Sequence, residues 1–496
     1  MNTSAQSGPK LSSGIDGLDN VLEGGFLQRG FYLIQGDPGS GKTTLALQYI
    51  LSRLRLGERC LYVTLTESRR DLEGACASHG WSLGGLELVD LTRSATLDAD
   101  SHTSVFHPAD TELTELTNVI LAAVARVKPQ QVVFDGLAEL RLLSGDPLRY
   151  RRQLLSLKEF FARQQATVLL LDDRSGKTSE MQPESLVGGN IVLEYSLPAY
   201  GRARRRLFVS KVRGSRFREG YHDYDIVRGG VQVHPRLVAA EHHTLFEKSL
   251  HSSGIPNLDA MLHGGLHDGS TTLLVGPAGV GKSTLSMQFV VEAMKRGKKA
   301  AVYAFDEVLH ILIERSEKLC IGKAGGFQSY VDDSLLHAQQ VDPAELSPGA
   351  FAQEVRRAVD AGASVVVIDS LNGYLSAMPE EGVLTTHLHE LFAYLNQQGV
   401  LTIIVVAQHG MIPGPSSLQG IHVSYLADTV LLFRYYEAPG EICQAVGVSK
   451  KRTGSHERAL RQLWIDASGV HVGEPLRHML GISGVPQYAS GAYSPE

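Results

Sequence analysis

Two segments of this 496-residue chain carry the same eight-residue pattern, G-x-x-x-x-G-K-[ST]. The first reads GDPGSGKT at residues 36–43, and the second reads GPAGVGKS at residues 276–283. Each follows a short β-branched, apolar run and precedes an amphipathic helical pattern. A phosphate-binding loop needs this context, because a strand aims the loop and a helix N-terminus behind it attracts the anion. The sequence therefore predicts two nucleotide-binding domains.

The duplication extends well beyond the loops. Ser13-Gly14-Ile15 recurs as Ser253-Gly254-Ile255, at the same spacing as the two loops. An apolar run that ends in aspartate occurs at residues 132–135 and again at residues 365–369. Continuous Val/Ile/Leu runs that alternate with helical patterns are typical of a parallel sheet covered on both faces. The fold class predicted here is α/β, with the second half of the chain a copy of the first.

The domain boundaries follow from this repeat. We expect a first ATPase-type domain at residues 1–238 and a second at residues 239–480. A segment rich in histidine and charge at residues 233–249 is the expected junction. Residues 481–496 are rich in Gly, Ser, Pro and Tyr, which is typical of a flexible tail.

The two loops supply the predicted nucleotide ligands. Their glycines let successive backbone N–H groups point at phosphates without Cβ clashes. Lys42 and Lys282 should reach the β- and γ-phosphates of ATP. The predicted nucleotide-binding residues are Gly36, Asp37, Pro38, Gly39, Ser40, Gly41, Lys42, Thr43 and Thr44 in the first loop, and Gly276, Pro277, Ala278, Gly279, Val280, Gly281, Lys282, Ser283 and Thr284 in the second.

Hydroxyl and carboxylate oxygens beside the loops predict Mg²⁺ sites. Thr43 and Ser283 should each offer a hydroxyl ligand. Asp135 and Asp369, each at the end of a core strand, should be the acidic anchors of the metal. A strand-end aspartate is often only a turn residue, but its repetition in both halves favours the functional interpretation.

A further acidic position ends the strand that follows each loop helix. It is the pair Asp306 and Glu307 in the second half and the single Glu67 in the first. Such a carboxylate can orient or deprotonate water or a hydroxyl for attack on the γ-phosphate. The alternative is a solvated helix N-terminus, where acids are favoured for structural reasons.

Two further features bear on the sites. The residue that follows the strand after the acidic anchor differs between the halves, whereas a basic element recurs in both. Gln408 follows the strand after Asp369, where its side chain could respond to the γ-phosphate, and counting from Thr402 to Thr167 gives Asp173 as its counterpart. A basic element recurs late in each half. It comprises Lys211 and Arg213 in the first half and Lys450, Lys451 and Arg452 in the second. These cations could complete a neighbouring subunit's nucleotide site, or they could be a solvated strand edge.

The composition limits which classes of partner the chain is expected to bind. The formal net charge of −6 and a pI near 6.3 argue against a general nucleic-acid binder. The N-terminus lacks an apolar segment suited to a signal peptide, and no apolar stretch approaches the ~20 residues that cross a bilayer. We therefore expect a cytoplasmic protein without a membrane partner.

Together these residues resemble the KaiC family of clock ATPases. The resemblance covers about residues 10–475. The residues that carry it are the two loops, Asp306-Glu307, Val367-Ile368-Asp369-Ser370, Lys211-Val212-Arg213-Gly214 and residues 422–428 (HVSYLAD). It implies two RecA-like P-loop NTPase domains, a double-ring homohexamer with ATP between subunits, and hydrolysis chiefly in the first domain. It also implies autokinase and phosphatase activity in the second domain and a possible KaiB-like partner.

The chain departs from that family at two positions. The family's adjacent Ser-Thr phosphorylation pair falls on Ser424 and Tyr425, so only the serine keeps its hydroxyl chemistry. Thr66 stands where the first domain usually has a catalytic glutamate.

Three functions remain open on these observations. The leading hypothesis is an ATPase with serine autokinase activity in its second domain. The chief alternative is an ATPase switch without kinase activity, which signals or holds a partner such as KaiB. A RecA- or RadA-like recombinase would need basic, aromatic-bearing loops for single-stranded DNA, and this chain has few aromatics beside its basic runs.

Overall fold

The computed structural model describes residues 8–92, 108–174, 183–199, 201–317, 319, 326–376, 384–408, 425–438 and 440–476. The predicted tail at residues 481–496 lies outside these ranges. The chain divides into two compact units, residues 1–236 and residues 237–496.

The first unit contains both strands and helices. Its strands are β1 (Lys10–Leu11), β2 (Phe26–Leu27), β3 (Phe31–Gly36), β4 (Cys60–Thr64), β5 (Glu87–Asp90), β6 (Gln131–Asp135), β7 (Thr167–Asp173), β8 (Gly189–Ser196), β9 (Arg204–Val212), β10 (His222–Val227) and β11 (Gly230–His234). Its helices are α1 (Asp16–Val21), α2 (Lys42–Arg55), α3 (Arg69–Ser78), α4 (Pro108–Val127), α5 (Leu137–Ser144) and α6 (Pro147–Arg163).

The second unit repeats this sequence of elements. Its strands are β12 (Leu250–His251), β13 (Leu266–His267), β14 (Thr271–Gly276), β15 (Lys299–Ala304), β16 (Leu336–Gln340), β17 (Ala363–Asp369), β18 (Leu401–Ala407), β19 (Thr429–Ala438), β20 (Glu441–Lys451), β21 (Arg461–Asp466) and β22 (Gly469–Pro475). Its helices are α7 (Pro256–Met261), α8 (Lys282–Lys295), α9 (Leu309–Glu317), α10 (Gln328–Asp332), α11 (Pro348–Asp360), α12 (Leu371–Ser376) and α13 (Leu384–Gln397).

Each unit is built on one large sheet. Within the described ranges, the first sheet has the strand order β11-β10-β9-β8-β3-β7-β6-β4-β5. The second has the corresponding order β22-β21-β20-β19-β14-β18-β17-β15-β16. The strands from β8 to β5 pair in parallel, whereas β9, β10 and β11 pair antiparallel, and the second sheet follows the same rule. The predicted fold class, two tandem α/β domains of RecA-like type, is confirmed.

Helices cover both faces of the central strands, so most residues of these strands are apolar and buried. Along β3, Tyr32 and Ile34 join the core on the α2 side, while Phe31 and Leu33 join the core beneath α5 and α6. This alternation follows from the two-residue period of a strand. A sheet buried on both faces holds its strand ends rigidly, and the phosphate loops start from those ends.

The expected junction is divided between the units. His234 still belongs to β11 of the first unit, whereas Leu237 and Ala239 are buried in the core of the second. The connecting residues are therefore fewer than the segment 233–249 predicted from composition.

Candidate nucleotide-binding sites

The first phosphate loop leaves β3 at Gly36 and enters α2 at Lys42. Gly41 caps this helix in the left-handed region with φ of +93°, a conformation that a residue with a Cβ rarely adopts. A Cβ at this position would also lie 2.5 Å from Cδ1 of Ile226 on β10. The hydroxyl of Tyr224, on the same strand, donates to the carbonyl of Ser40. The β10–β11 hairpin therefore holds the loop in its phosphate-binding shape.

Lys42 is fully engaged at the mouth of this loop. Its Nζ donates to the carbonyls of Gly36 at 2.9 Å and Asp37 at 3.1 Å. It also forms an ion pair of 2.6 Å with the carboxylate of Asp173, at the end of β7.

Thr43 lies at the centre of an acidic group. Its hydroxyl is 3.3 Å from Oδ2 of Asp135 and 3.5 Å from Oε1 of Glu67. Asp135 also accepts a hydrogen bond of 2.7 Å from the buried hydroxyl of Tyr62, and Thr66 lies 3.5 Å from its other oxygen. Burial raises the pKa of the Asp135 carboxyl, while the hydrogen bonds from Tyr62 and Thr43 oppose that rise. These oxygen atoms are candidate ligands for a divalent cation, which would also offset the negative charge of the acidic group.

Local hydrogen bonds fix the position of Glu67. The hydroxyl of Thr64 accepts a hydrogen bond from the backbone N–H of Glu67 and donates one to the carbonyl of Glu67. The next residue, Ser68, caps α3 in a reciprocal capping box with Asp71. Burial, and secondly the nearby Asp135 charge, raise the pKa of Glu67. The carboxyl is therefore held beside Thr43 in a setting that favours taking up a proton.

These residues open onto one cavity of about 390 Å³. It is lined by loop residues, by the acidic group and by the strand ends of the parallel sheet. The lining residues are Pro38, Gly39, Gly41, Lys42, Thr43, Thr44, Thr66, Glu67, Asp135, Gly136, Ala138, Leu171, Asp172, Asp173 and Ile226.

The second loop repeats the framework with different partners. Gly281 caps α8 with φ of +98°. Lys282 is buried and donates to the carbonyl of Pro277 at 2.6 Å. Burial lowers the pKa of its ammonium group, and the Asp369 carboxylate opposes that shift. Burial raises the pKa of Asp369, and the nearby Ser283 hydroxyl works in the opposite direction. The two residues predicted to hold the metal thus lie together in both units.

The carboxylate pair of the second unit has partners that the first unit lacks. Asp306 accepts a hydrogen bond from the hydroxyl of Ser370. Glu307 forms a two-pronged ion pair with Arg315 of α9, with N–O distances of 3.0 and 2.9 Å. Ala75 occupies the position of α3 that corresponds to Arg315. Glu67 and Glu307 therefore share a place in the fold but not an electrostatic environment.

Strand register corrects the counterpart of Gln408. Phe31 pairs with Val168 in the first sheet, and the equivalent Thr271 pairs with Thr402 in the second. The match of Thr402 with Thr167 was therefore wrong by one residue. The backbone N–H of Gln408 donates to the carbonyl of Gly276.

The corrected register assigns new equivalences at these strand ends. Arg174 donates to the carbonyl of Gly36 just as Gln408 does to that of Gly276, so it is the true counterpart. Asp173 then corresponds to Ala407.

The basic elements lie away from their own loops. Lys211 pairs in register with Asn190 of β8, which is level with Leu33, three residues before Gly36. This places Lys211 two strands aside and about 10 Å along the sheet from the loop, given a rise of ~3.3 Å per residue. Its ammonium donates to the carbonyl of Glu184.

The second basic element has the same placement. Lys450 pairs with Val430, which is level with Leu273, again three residues before its loop. Between the two predicted cations, Lys451 is buried and donates to the carbonyls of Leu262 and Gly265. Lys451 is therefore structural, whereas Lys450 and Arg452 flank it.

Ser424 lies outside the described residues. Its neighbour Tyr425 is 53% exposed, and the carbonyl of Tyr425 accepts a 2.9 Å hydrogen bond from Arg452. Arg452 also lies 3.9 Å from the carboxylate of Asp428.

Several residues at the sites were missed from the sequence. Tyr62, Ser370 and Arg315 each hold one of the predicted carboxylates. The sequence offered no local signal for Arg315, because Glu307 precedes α9 and a spacing of eight residues exceeds those at which helical side chains meet. The acidic strand end at Asp172 and Asp173 was a usable signal, of the same kind as Asp135.

Among the helices of the described ranges, none is both long and apolar enough to cross a membrane.

Comparison with known proteins agrees with this geometry. A model of the KaiC ATPase family matches residues 11–238 and again residues 251–477. The chain is 26% identical over 489 residues to the circadian clock oscillator protein KaiC of Parasynechococcus marenigrum, covering 96% of this chain and 93% of that protein. It is 24% identical over 499 residues to the circadian clock protein KaiC3 of Synechocystis sp., covering 97% and 95%. A KaiC of Thermostichus vulcanus is 26% identical over 485 residues, covering 96% and 92%.

Proposed function

The chain belongs to the family of KaiC ATPases, and we propose that its first unit chiefly hydrolyses ATP while its second transfers phosphate to Ser424. The observation that carries the proposal is the pairing of a loop hydroxyl with a buried strand-end carboxylate in both units. Thr43 lies 3.3 Å from Asp135, and the Ser283 hydroxyl lies beside Asp369. These are the oxygen ligands that a Mg²⁺–ATP complex requires beside a phosphate loop.

In the first unit, the loop amides and Lys42 bind and orient the phosphates. When bound, Mg²⁺ neutralises charge on the phosphate oxygens. Glu67 is positioned to accept a proton from a water molecule as the water oxygen attacks the γ-phosphorus and the bond to ADP breaks. The raised pKa of Glu67 supports this role, because a base works best when its pKa is closer to the ambient pH. Thr66 lies beside Asp135 and supplies no second base.

In the second unit, we assign the same phosphate-binding role to Lys282. Asp306 and Glu307 are the candidate bases that take the proton of the Ser424 hydroxyl as the serine oxygen attacks the γ-phosphorus and the bond to ADP breaks. The hydrogen bond between Arg452 and the Tyr425 carbonyl supports this assignment, because it ties the chain beside Ser424 to the basic element. Gln408 is the candidate sensor of the γ-phosphate, since its backbone is hydrogen-bonded to the first loop residue.

The placement of the basic elements favours a ring of subunits, here a homohexamer. Lys211 and Lys450 lie two strands aside from their own loops and about 10 Å along the sheet, and Arg213 and Arg452 follow two residues later. In a ring, this basic element of one subunit would face the loop of the next and supply cations to its phosphates. A KaiB-like protein is the proposed partner, and the cytoplasm the proposed location. The relatives are named as circadian clock proteins.

A second candidate function is an ATPase switch without kinase activity. The specific observation in its favour is the Glu307–Arg315 ion pair, which occupies one of the two proposed bases. Under this alternative the second unit binds ATP and changes conformation, and Ser424 stays unmodified.

Labelled ATP distinguishes the two functions. The full chain is incubated with Mg²⁺ and γ-³²P-ATP, then phosphopeptides are mapped and released phosphate is measured. Label on Ser424 that disappears in Lys282→Ala and Ser424→Ala, but persists in the matched control Tyr425→Phe, supports autophosphorylation. Phosphate release without any label supports the switch. Label that survives Lys282→Ala contradicts the assignment of kinase activity to the second unit.

Subunit mixing tests the shared sites. Lys282→Ala and Arg452→Ala variants are each expected to lose second-unit activity, measured as label on Ser424. A mixture should regain activity if an intact loop meets an intact Arg452 from the next subunit. Activity no greater than the sum of the separate variants contradicts sites shared between subunits.

A further inference from the structure

One carboxylate lies at the first phosphate loop and has no equivalent at the second. Asp173 ends β7 directly beside Gly36, the first residue of the loop, because the two residues are paired in register. Its carboxylate lies 2.6 Å from Nζ of Lys42, and it is one of the residues that line the cavity.

The ion pair with Asp173 occupies the third N–H donor of the Lys42 ammonium, and the other two are already hydrogen-bonded. A lysine ammonium has three N–H donors. In Lys42, two of them meet the carbonyls of Gly36 and Asp37, and the third faces Asp173. An incoming phosphate oxygen must therefore displace or share one of these acceptors, and only Asp173 carries a full negative charge.

The second site differs at this position. Ala407 pairs with Gly276 and occupies the place of Asp173. The ammonium of Lys282 donates to the carbonyl of Pro277, a neutral acceptor that belongs to the loop itself.

We infer that Asp173 competes with the γ-phosphate of ATP for Lys42 and so makes the first site bind ATP less tightly, relative to ADP, than the second. This inference rests on the proposed function, namely that the first loop binds ATP. The loop lysine reaches the β- and γ-phosphates, and the ion pair must open or be shared when the γ-phosphate arrives. With ATP in place, the uncompensated carboxylate faces phosphate charge of the same sign. When the γ-phosphate leaves, the ion pair can re-form, which favours the diphosphate state.

The exposure of the pair sets its strength. The side chain of Lys42 is 11% exposed and that of Asp173 is 34% exposed. A pair so placed is screened less than a surface pair but more than a fully buried one. Removal of the Asp173 charge should therefore change the affinity for ATP by about tenfold rather than by several orders of magnitude.

The test measures nucleotide affinity at the first site alone. Asp173→Asn is made in the full chain with Lys282→Ala, which disables the second loop. The probes are a fluorescently labelled non-hydrolysable ATP analogue and labelled ADP, both with Mg²⁺. We expect Asp173→Asn to tighten binding of the ATP analogue about tenfold and that of ADP less than about threefold. Asp173→Glu keeps the charge and should keep the affinity ratio of the parent protein.

The reciprocal substitution introduces the carboxylate at the second site. Ala407→Asp, in a chain whose first loop is disabled by Lys42→Ala, should weaken binding of the ATP analogue at the second site relative to ADP. Equal tightening of both nucleotides by Asp173→Asn, or no tightening of either, overturns the inference. If the Lys282→Ala parent binds neither nucleotide, the proposed function of the first loop fails together with the inference.

Discussion

Acidification should loosen the β10–β11 hairpin that supports the first phosphate loop. His222 begins this hairpin and is fully buried. Its Nδ1 accepts the backbone N–H of Arg236 at 2.8 Å, and its Nε2 faces the carbonyl of Arg218 at 3.0 Å. These partners suit a neutral ring with its proton on Nε2, because a second proton on Nδ1 would face a donor.

The pKa of His222 gives the size of the effect. Burial lowers this pKa from 6.5 to about 4, and the hydrogen bond to Arg218 opposes the shift without overcoming it. Below pH 6.5 the unfolded chain therefore binds a proton that the folded hairpin excludes, so stability is present above 6.5 and is lost as the pH falls. At 1.36 kcal/mol per pKa unit, the loss is about 2 kcal/mol at pH 5 and approaches about 3 kcal/mol below pH 4.

Hydrogen exchange followed by mass spectrometry measures this locally in the full chain. After correction for intrinsic exchange rates, peptides from residues 222–234 should lose protection between pH 6.5 and 4. Peptides from residues 461–475 provide an internal control, because Arg461 takes the position of the histidine in the second unit. The reasoning is refuted if His222→Gln, which cannot titrate, leaves the pH dependence of the first hairpin unchanged.

Three further outcomes are expected from single substitutions. Gly41→Ala forces a Cβ into a left-handed position and against the β10 side chain that faces the loop, so ATP binding at the first site should be lost in nucleotide titrations while the second site still binds. Arg315→Met releases Glu307, and second-unit turnover in a Lys42→Ala background should rise by up to about tenfold for a partly exposed ion pair; a fall instead would assign Arg315 a direct role. Tyr62→Phe removes a hydrogen bond that holds down the pKa of Asp135, so Mg²⁺-dependent hydrolysis should require a higher pH; an unchanged pH–rate profile would contradict this.

Much of the framework could be predicted from residues close together in the chain. The loop pattern and the apolar run before it determine a strand, a turn and a helix N-terminus within about twenty residues. The strand-end aspartates could be found for the same reason, since the carboxyl ends of parallel strands meet at one edge of the sheet. Thr43 and Asp135 are therefore neighbours in the structure, as are Ser283 and Asp369.

Register and side-chain pairing could not be predicted in this way. Matching Thr402 with Thr167 was reasonable from the sequence, but hydrogen bonds to β3 and β14 place the true match one residue further along. A shift of one residue in a strand changes which face and which neighbour a side chain meets. The pairing of Glu307 with Arg315 depends likewise on the rotation and packing of α9, which the local pattern leaves open.

The sequence by itself determined that this chain contains two copies of one nucleotide-binding fold, because the loop chemistry and strand pattern are encoded over short spans and appear twice. Only the tertiary structure decided how the copies differ. Lys42 meets Asp173, which comes from a strand distant in the chain, whereas at the second site Ala407 takes that place and Lys282 meets a carbonyl of its own loop. An electrostatic environment depends on distances between such groups, and those distances exist only once the strands have paired.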